Sequence, residues 1–380
     1  MIRQYKLQDY NFRLVIVLIA LTSMGVLLVG SADPSLQKKQ FLGMILGIIV
    51  MIIVSLIDFS WILNFSWIMY GGNILLLLLV KVMGTDANGA QRWLNVGGFQ
   101  FQPTELAKII LILFFAKFFM DHEEDLNTLR TLTKAVVLIA IPLSLILSQP
   151  DLKNTITVAI LFCIMIYIAG LSYKIIGSIL LIAVPMAIVF LFIVVQPDQK
   201  LIKDYQRDRI MAFLNSEDDA YSDDVLQQEN SVTAIGSGQL TGKGLNNNEV
   251  ASANKGNFVS ENQTDFIFSV AGEELGFIGC TAILLMLLLV ILECIRVSLR
   301  AKDTSGKLIC CGVASLVGIQ TFINIAVVTK ILPNTGTPLP FVSYGLTSIV
   351  SLYIGMGLVL NVGLQKYRTY REVEKSLTSD

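Results

Sequence analysis

Asp265 stands at the start of an apolar stretch, where an acidic side chain is unusual. Ser269, Gly272 and Gly276 follow it at helical spacing, so the acid and three small residues share one stripe of a predicted helix. Small residues on such a stripe let another segment pack closely. Two interpretations remain open: Asp265 takes part in chemistry, or it only meets the positive end of the helix dipole.

A second polar group precedes another apolar stretch. Pro103 and Glu105 predict a helix start, since proline loses no hydrogen bond there and an acid is favoured in the first turn. Lys108 lies three residues after Glu105, a spacing that favours an ion pair on one helical face. The alternative is a pair of long side chains that reach the membrane interface independently.

Clustered glycines with nearby cations suggest anion binding. Gly236, Gly238, Gly242 and Gly244 lie close together in the sequence, and glycines let backbone amides approach a phosphate group. Lys243, or Arg209 further upstream, could add positive charge to such a site. The spacing is not that of a nucleotide-binding loop, and plain turns explain the same glycines.

Further polar residues fall within or between apolar stretches. Glu273 and Glu274 are costly as charged groups in lipid, so at least one should face the protein interior. Gln320 and Asn324 precede a turn rich in proline, residues 332–340. Such a rigid non-helical turn is tolerated at membrane depth only where it packs on protein or lines a cavity.

The elements that must position these residues are membrane helices. Hydrophobic residues make up 54% of the 380 residues and charged residues only 15%, which far exceeds the apolar content of a soluble domain. The net charge of -1 excludes a nucleic-acid-binding role. The five cysteines and the single histidine, His122, do not have zinc-site spacing.

Counting about 20 residues for each crossing predicts an all-α, polytopic protein with ten transmembrane helices in one domain, residues 1–380. The spans are predicted near residues 14–31, 40–57, 63–83, 104–120, 134–149, 155–170, 174–195, 266–295, 308–331 and 344–363.

Basic residues predict the orientation, because short cytoplasmic loops retain lysine and arginine. Both termini are predicted to be cytoplasmic, although Lys38 and Lys39 disagree with this scheme. The outer face then carries residues 84–103, the turn at Pro150 and Asp151, the long loop 196–265 between spans 7 and 8, and the proline-rich turn. We expect the long loop to be irregular, with a mobile part near 217–224.

These motifs resemble the SEDS (shape, elongation, division and sporulation) family along essentially the whole chain. The family's outer-loop motif is similar to Gly89, Gln91, Arg92, Trp93, Gly97, Gln102, Pro103 and Glu105, with Thr104 where serine is usual. The segment Thr264-Asp265-Phe266-Ile267-Phe268 and the proline-rich turn also resemble it. The Arg92-Trp93 form is more similar to the elongation (RodA-like) branch than to the division or sporulation branches.

The chain departs from the family at three places. Lys153 and Asn154 follow Gln149-Pro150-Asp151-Leu152, where the family continues with Gly-Thr. Gly345, Leu346 and Thr347 follow Tyr344, where Gly-Gly-Ser is usual. Gln263 replaces the usual histidine before Thr264 and Asp265.

The resemblance implies a peptidoglycan glycosyltransferase of the bacterial cytoplasmic membrane. It would polymerise lipid II, an undecaprenyl-pyrophosphate-linked disaccharide peptide, at the outer face, with a class B penicillin-binding transpeptidase as partner. Asp265 would be the catalytic base, and a divalent cation, Mg²⁺ or Mn²⁺, could assist without any organic cofactor or dedicated protein metal site. The alternatives are a lipid II flippase, a non-catalytic scaffold for the transpeptidase, and a division or sporulation enzyme.

The residues expected to bind substrate or support the site fall into the same segments of sequence. They are Arg92, Trp93, Gln102, Glu105, Lys108, Asp151, Arg209, Lys243, Ser343 and Tyr344.

Overall fold

The computed structural model describes residues 9–87, 90–96, 99–177, 222–246 and 261–365, with a few isolated positions between 181 and 213. Its helices are α1 (Phe12–Ala32), α2 (Pro34–Leu56), α3 (Phe59–Leu63), α4 (Ser66–Met83), α5 (Pro103–Asp121), α6 (Leu129–Ser148), α7 (Leu152–Ile168), α8 (Ser222–Ser237), α9 (Ile267–Ser298), α10 (Thr304–Val328) and α11 (Leu346–Leu364). Its strands are β1 (Thr85–Ala87), β2 (Ala90–Val96) and β3 (Phe99–Phe101).

Nine of the ten predicted spans coincide with helices in the part of the chain that is described. Seven of these helices (α1, α2, α4, α6, α9, α10 and α11) are long and apolar enough to cross a membrane, and α7 is apolar but shorter. The predicted span 174–195 lies mostly outside the described residues. The polytopic helical architecture is therefore confirmed.

Helix α5 forms the centre of the bundle. Its side chains are buried on every face, from Pro103 through Phe119, as expected for a helix that is hydrophobic all round. Proline opens the helix and Glu105 lies in its first turn, as the sequence predicts. This central position takes Glu105 and Lys108 away from lipid and into the protein interior.

Two glycines allow α2 and α11 to pack closely. A Cβ atom on Gly47 would lie 2.3 Å from the Tyr353 ring, and one on Gly357 would lie 2.7 Å from the Met51 carbonyl. Contacts of this kind are typical of membrane helices, whose association depends on close packing. These two close contacts hold α11, the helix that follows the proline-rich turn, against α2.

The loops predicted to share the outer face meet at one end of the bundle. Arg92, Lys153, Glu261 and Tyr344 line one cavity there. At the opposite end, the residues before α1 and the last turn of α11 line a shared pocket with the end of α9. The beginning of α1 and the end of α11 thus lie on the same side, in agreement with an even number of crossings.

The segment before α5 forms a small antiparallel sheet, which differs from the purely helical prediction. The strand order is β1-β2-β3, and Leu94 lies opposite Phe101. The sequence carries one signal for this hairpin, because Gly97-Gly98 is a two-residue sequence typical of the loop between paired strands. The sheet places Arg92 and Trp93 over the end of the bundle.

The long loop contains a helix, α8, so our expectation of irregular structure was wrong for residues 222–237. Gln228 donates to the carbonyls of Val327 and Leu332, and Ser231 donates to that of Val328. The carbonyls of Val327 and Val328 lie in the last turn of α10, where carbonyls lack partners within their own helix, and that of Leu332 lies in the turn that follows. The buried face of α8 is therefore partly polar, which removes the hydrophobic periodicity that predicts a helix.

Helix α9 is broken at Gly276, where φ is 64° and ψ is -164°. Residues 239–244, which we call the strap, cross the break and satisfy its backbone. The amides of Lys243 and Gly244 donate to the carbonyls of Glu273 and Glu274 at 2.9 and 3.0 Å. On the far side of the break, the amides of residues 277 and 278 donate to the strap carbonyls of residues 239 and 240.

The strap depends on glycine, because a Cβ atom on Gly242 would lie 2.1 Å from the Glu274 carbonyl and its φ is +79°. We expect Gly242→Val to lower the melting temperature in detergent by several degrees, since strain and overpacking together cost about 2 to 4 kcal/mol. Gly236→Ala is the matched control, as a Cβ atom there meets nothing within 4 Å. Equal melting temperatures for the two variants would contradict the packing described.

Candidate active site

A cavity of about 280 Å³ opens at the end of the bundle where the predicted outer loops meet. It collects acidic, basic and hydroxyl side chains from five separate segments of the chain. Its lining includes Arg92, Trp93, Gln102, Glu105, Lys153, Glu261, Thr264, Asp265, Thr335, Pro338, Tyr344 and Thr347.

Asp265 is half-buried and lines this cavity. It lies in a turn, residues 261–266, whose amides donate to the Glu261 carbonyl, two residues before α9 begins. Among the described residues, no hydrogen bond or ion pair occupies its carboxylate. A carboxylate held in this way can accept a proton from a bound hydroxyl group.

Two side chains, those of Asn324 and Ser343, hold the Asp265 turn in place. Asn324 of α10 donates 2.7 Å bonds to the carbonyls of both Asp265 and Thr337. The Ser343 hydroxyl donates to the Thr264 carbonyl at 2.6 Å. The sequence shows Asn324 as a polar residue within an apolar stretch but does not predict this role, because its partners are distant along the chain.

Ser343 does not line the cavity, so the structure places it as a positioning residue for the aspartate turn. Tyr344 does line it, and its amide donates to the Gln263 carbonyl at 2.9 Å. Burial, helped by the Asp33 carboxylate, raises the pKa of Tyr344 above its ordinary value. The phenol therefore stays protonated at neutral pH and can donate a hydrogen bond into the cavity.

Behind the cavity lies a buried polar network centred on α5. Lys108 donates to Glu105 at 2.8 Å and to the Asn154 side chain at 3.1 Å. Asn154 in turn donates to the Asp151 carboxylate at 2.7 Å, and Gln102 donates to the same carboxylate at 3.2 Å. The predicted Glu105–Lys108 pair is thus present, and Asp151 and Gln102 belong to the same network.

This network is almost completely removed from solvent, with Lys108 1%, Glu105 4% and Asp151 0% exposed. Charges at such depth persist only when each is paired or hydrogen-bonded. The Lys108 ammonium group pairs with Glu105, and the Asp151 carboxylate is held by the amides of Gln102 and Asn154. Glu105 also reaches the cavity lining, so the network connects directly to the cavity.

The hairpin contributes the predicted residues Arg92 and Trp93 to the cavity wall. The Arg92 guanidinium donates to the carbonyls of Gln149 and Pro150 at the end of α6. These bonds fix the sheet to the turn that carries Asp151. The guanidinium is always charged, so Arg92 places a cation in the cavity wall.

The departures from the family pattern have clear positions in the structure. Asn154 bridges Lys108 and Asp151, as described above. The Thr347 hydroxyl donates to the Gln100 carbonyl at 3.2 Å, so it ties α11 to the hairpin. Lys153 lines the cavity and donates to the Gly336 carbonyl, which makes it a cavity cation that the sequence analysis did not select.

The structure does not bring Lys243 to this cavity. Its ammonium group pairs with Glu273 of α9 at 2.8 Å. The glycines around Lys243 allow the close backbone contact between the strap and α9, and they do not form an anion site at the cavity. The other acid, Glu274, accepts a hydrogen bond from Ser31. Both acids are buried, whereas the sequence predicted this for at least one of them. Arg209 lies outside the described residues.

The fold and the cavity define a polytopic membrane protein with a polar site at one end of a helical bundle. Its sequence matches the model of the FtsW/RodA/SpoVE family, described as cell cycle proteins, over residues 7–368. The chain belongs to this family, and the predicted SEDS membership is confirmed.

Curated relatives come from both main branches of the family. The chain is 35% identical over 371 residues to a probable peptidoglycan glycosyltransferase FtsW of Geobacter metallireducens, covering 94% of this chain and 95% of the relative. It is 33% identical over 355 residues to the peptidoglycan glycosyltransferase MrdB of Escherichia coli K12, covering 92% of each. These similar values do not separate the elongation branch from the division branch.

Solved structures show the same fold. One chain of a peptidoglycan synthase complex that coordinates polymerization and crosslinking matches with a TM-score of 0.77 and 28% identity, covering 95% of this chain and 99% of that chain. The rod shape determining protein RodA of Thermus thermophilus matches with a TM-score of 0.68 and 26% identity, covering 95% and 98%.

Proposed function

We propose that this protein is a peptidoglycan glycosyltransferase that polymerises lipid II into glycan strands, with Asp265 as the general base. The observation that carries the proposal is one cavity at the end of a membrane bundle, where the Asp265 carboxylate, which has no partner among the described residues, lies with two cations and several hydroxyl groups. Relatives in both branches are named for this activity. A lipid-linked substrate suits a site at the membrane boundary.

In the proposed step, a hydroxyl oxygen of the acceptor sugar attacks the anomeric carbon of the donor sugar. A new carbon–oxygen bond forms there as the bond to the pyrophosphate oxygen breaks. Asp265 takes the proton of the attacking hydroxyl and later releases it to water. The departing pyrophosphate carries away the electron pair, and the positive charge of Arg92 and Lys153 stabilises it.

The buried network supports this chemistry indirectly. Lys108 forms an ion pair with Glu105, and Glu105 also lines the cavity. Asn154 connects this ion pair to Asp151 by hydrogen bonds. A rigid wall of this kind keeps the cavity shape constant during the reaction. We therefore assign Glu105, Lys108, Asp151 and Gln102 a positioning role.

A divalent cation, Mg²⁺ or Mn²⁺, is part of the proposal. Within the described residues, no group of three or more His, Cys, Asp or Glu side chains could hold a metal by itself. Glu261 and Asp265 both line the cavity, and Mg²⁺ is commonly held by one or two carboxylates together with substrate phosphates. Such an ion would supply charge neutralisation for the pyrophosphate.

We further propose that the protein lies in the bacterial cytoplasmic membrane with the Asp265 cavity on the outer side. A class B penicillin-binding transpeptidase would crosslink the strands made there, in keeping with the synthase complex whose chain shares this fold. The Arg92-Trp93 sequence favours a role in elongation over division or sporulation.

The decisive experiment is synthesis from purified components. We expect the purified protein, supplied with lipid II and Mg²⁺ in detergent, to form glycan strands that gel electrophoresis resolves, and addition of the transpeptidase to increase the yield. No polymer under either condition would contradict an enzymatic function.

Vesicles distinguish the two non-enzymatic alternatives. Movement of labelled lipid II across the bilayer without polymer would favour a flippase. A scaffold would support synthesis by its partner even after loss of the Asp265 carboxylate.

A further inference from the structure

A pocket of about 790 Å³, which we call the basic pocket, lies between the start of α4, the end of α5 and the start of α6. Glu105, in the first turn of α5, lines the Asp265 cavity. His122, directly after the last turn of the same helix, lines the basic pocket. Helical rise puts about 25 Å between these two positions, so the basic pocket lies at the opposite end of the bundle from the proposed active site.

One wall of the basic pocket is a stripe of α6 that changes from charged to apolar along the helix. Arg130, Thr133, Lys134, Val137 and Leu138 line it, and their spacing of three and four residues places them on one helical face. The two cations lie in the first two turns of α6, and the apolar pair follows one turn deeper in the bundle. The stripe therefore offers positive charge near the end of the bundle and apolar contacts beneath it.

An aromatic side chain forms the facing wall. Trp67 of α4 packs edge-to-face against Phe114 of α5, with ring centroids 5.0 Å apart. Tyr70, one turn further along α4, donates to the Leu138 carbonyl of α6 at 2.7 Å. These contacts fix the walls before any ligand binds. Trp67 nevertheless remains 60% exposed, as is typical of tryptophan at the boundary between lipid and water.

The two cations of the basic pocket have no carboxylate partner among the described residues. Neither Arg130 nor Lys134 takes part in the ion pairs found there, and the lining of the pocket contains no acid. The acidic loop, residues 121–125, lines a separate pocket beyond the end of α5, and its Asp121 pairs with Lys117 at 2.6 Å. Basic pockets of this kind between membrane helices bind the head groups of anionic lipids.

We propose that the basic pocket binds an anionic phospholipid from the leaflet opposite the Asp265 cavity. Arg130 and Lys134 would hold its phosphate, and one acyl chain would lie against Trp67 and Val137. Two cations one helical turn apart suit a phosphodiester, which accepts charge-assisted hydrogen bonds from both. Cations that only extended to the membrane interface would need neither a pocket nor an aromatic wall. This site is independent of the proposed glycosyltransferase activity.

Quenching of Trp67 fluorescence tests the proposal. The chain has three tryptophans, so the background Trp61→Phe, Trp93→Phe leaves Trp67 as the only one, and dibrominated acyl chains quench it on contact. We expect dibrominated phosphatidylglycerol to reach half-maximal quenching in detergent at about a tenth of the concentration that dibrominated phosphatidylcholine requires, because two cations attract the anionic head group. Equal concentrations for the two lipids would indicate ordinary lipid contact and overturn the proposal.

Charge substitutions locate the preference. Arg130→Gln, Lys134→Gln removes both cations and should reduce the preference for phosphatidylglycerol to about twofold or less. The exchange Arg130→Lys, Lys134→Arg keeps both charges and should retain it. Arg296→Gln, Arg300→Gln is the matched control, since these two cations are also four residues apart at the same end of the bundle but line a different pocket. An equal loss in the control and in Arg130→Gln, Lys134→Gln would assign the preference to general surface charge and overturn the proposal.

Competition and thermal unfolding complete the test. Unlabelled phosphatidylglycerol should restore the Trp67 fluorescence, and it should raise the melting temperature of the wild type and the control but not of Arg130→Gln, Lys134→Gln. Restoration of fluorescence by inorganic phosphate would make the pocket a site for free phosphate. Restoration by undecaprenyl diphosphate at a lower concentration than phosphatidylglycerol would make it a site for substrate-like lipid, and either result would overturn the proposal.

Discussion

Replacing Asp265 with asparagine should reduce glycan synthesis from purified lipid II by a factor of about 10² to 10⁴, the usual contribution of a general base. Asparagine has nearly the same shape but cannot accept the hydroxyl proton. The bonds that hold this turn use backbone atoms, namely the amide of Asp265 and its carbonyl with Asn324, so the fold should remain. The measurement is the initial rate of strand formation at saturating lipid II.

Glu229→Gln provides the matched control for this substitution. Glu229 is an exposed acid on α8 that pairs with Lys330 at 2.7 Å and does not line the cavity, so its loss should leave the rate unchanged. Wild-type turnover by Asp265→Asn would remove Asp265 from the reaction. A large fall in melting temperature would instead assign the residue to the structure.

The second large effect concerns stability. Lys108→Met should lower the free energy of unfolding by about 3 to 5 kcal/mol, the usual consequence of removing one partner from a buried ion pair. Methionine has a similar length, but it would leave the buried Glu105 without a compensating charge and the Asn154 side-chain oxygen without its donor. Thermal unfolding in detergent, followed by intrinsic fluorescence, would measure the loss.

Lys117→Met on the same helix is the control, since Lys117 pairs with Asp121 near the surface at 2.6 Å and exposed pairs contribute about 0 to 1 kcal/mol. The double variant Glu105→Gln, Lys108→Met should recover part of the loss, because it removes one uncompensated charge. Equal effects of the two lysine substitutions would show that burial of the network contributes nothing.

Much of the architecture follows from sequence, because lipid imposes a simple requirement. Every backbone polar group in the hydrocarbon must be satisfied within its own segment, so apolar length predicts a helix. Pro103 predicted the start of α5, and the three-residue spacing favoured the Glu105–Lys108 ion pair. Local spacing contains this information, and no knowledge of distant contacts is needed.

The features that the sequence did not predict depend on contacts between segments that are distant along the chain. Helix α8 buries Gln228 and Ser231 against the end of α10, and only the folded bundle supplies those carbonyls. The role of Asn324 likewise depends on two turns that are adjacent only in space. Lys153 could be read in the sequence as a departure from the family pattern, but its place in the cavity lining is visible only in the structure.

The break at Gly276 has a consequence for how the chain is assembled during synthesis. Four peptide groups at the break lack partners in their own helix, and hydrocarbon offers none. Residues 239–244, which supply those partners, leave the ribosome before α9 does. We therefore expect translocation of the preceding loop to come first, so that the insertion machinery releases α9 into lipid only after its missing hydrogen bonds can be made.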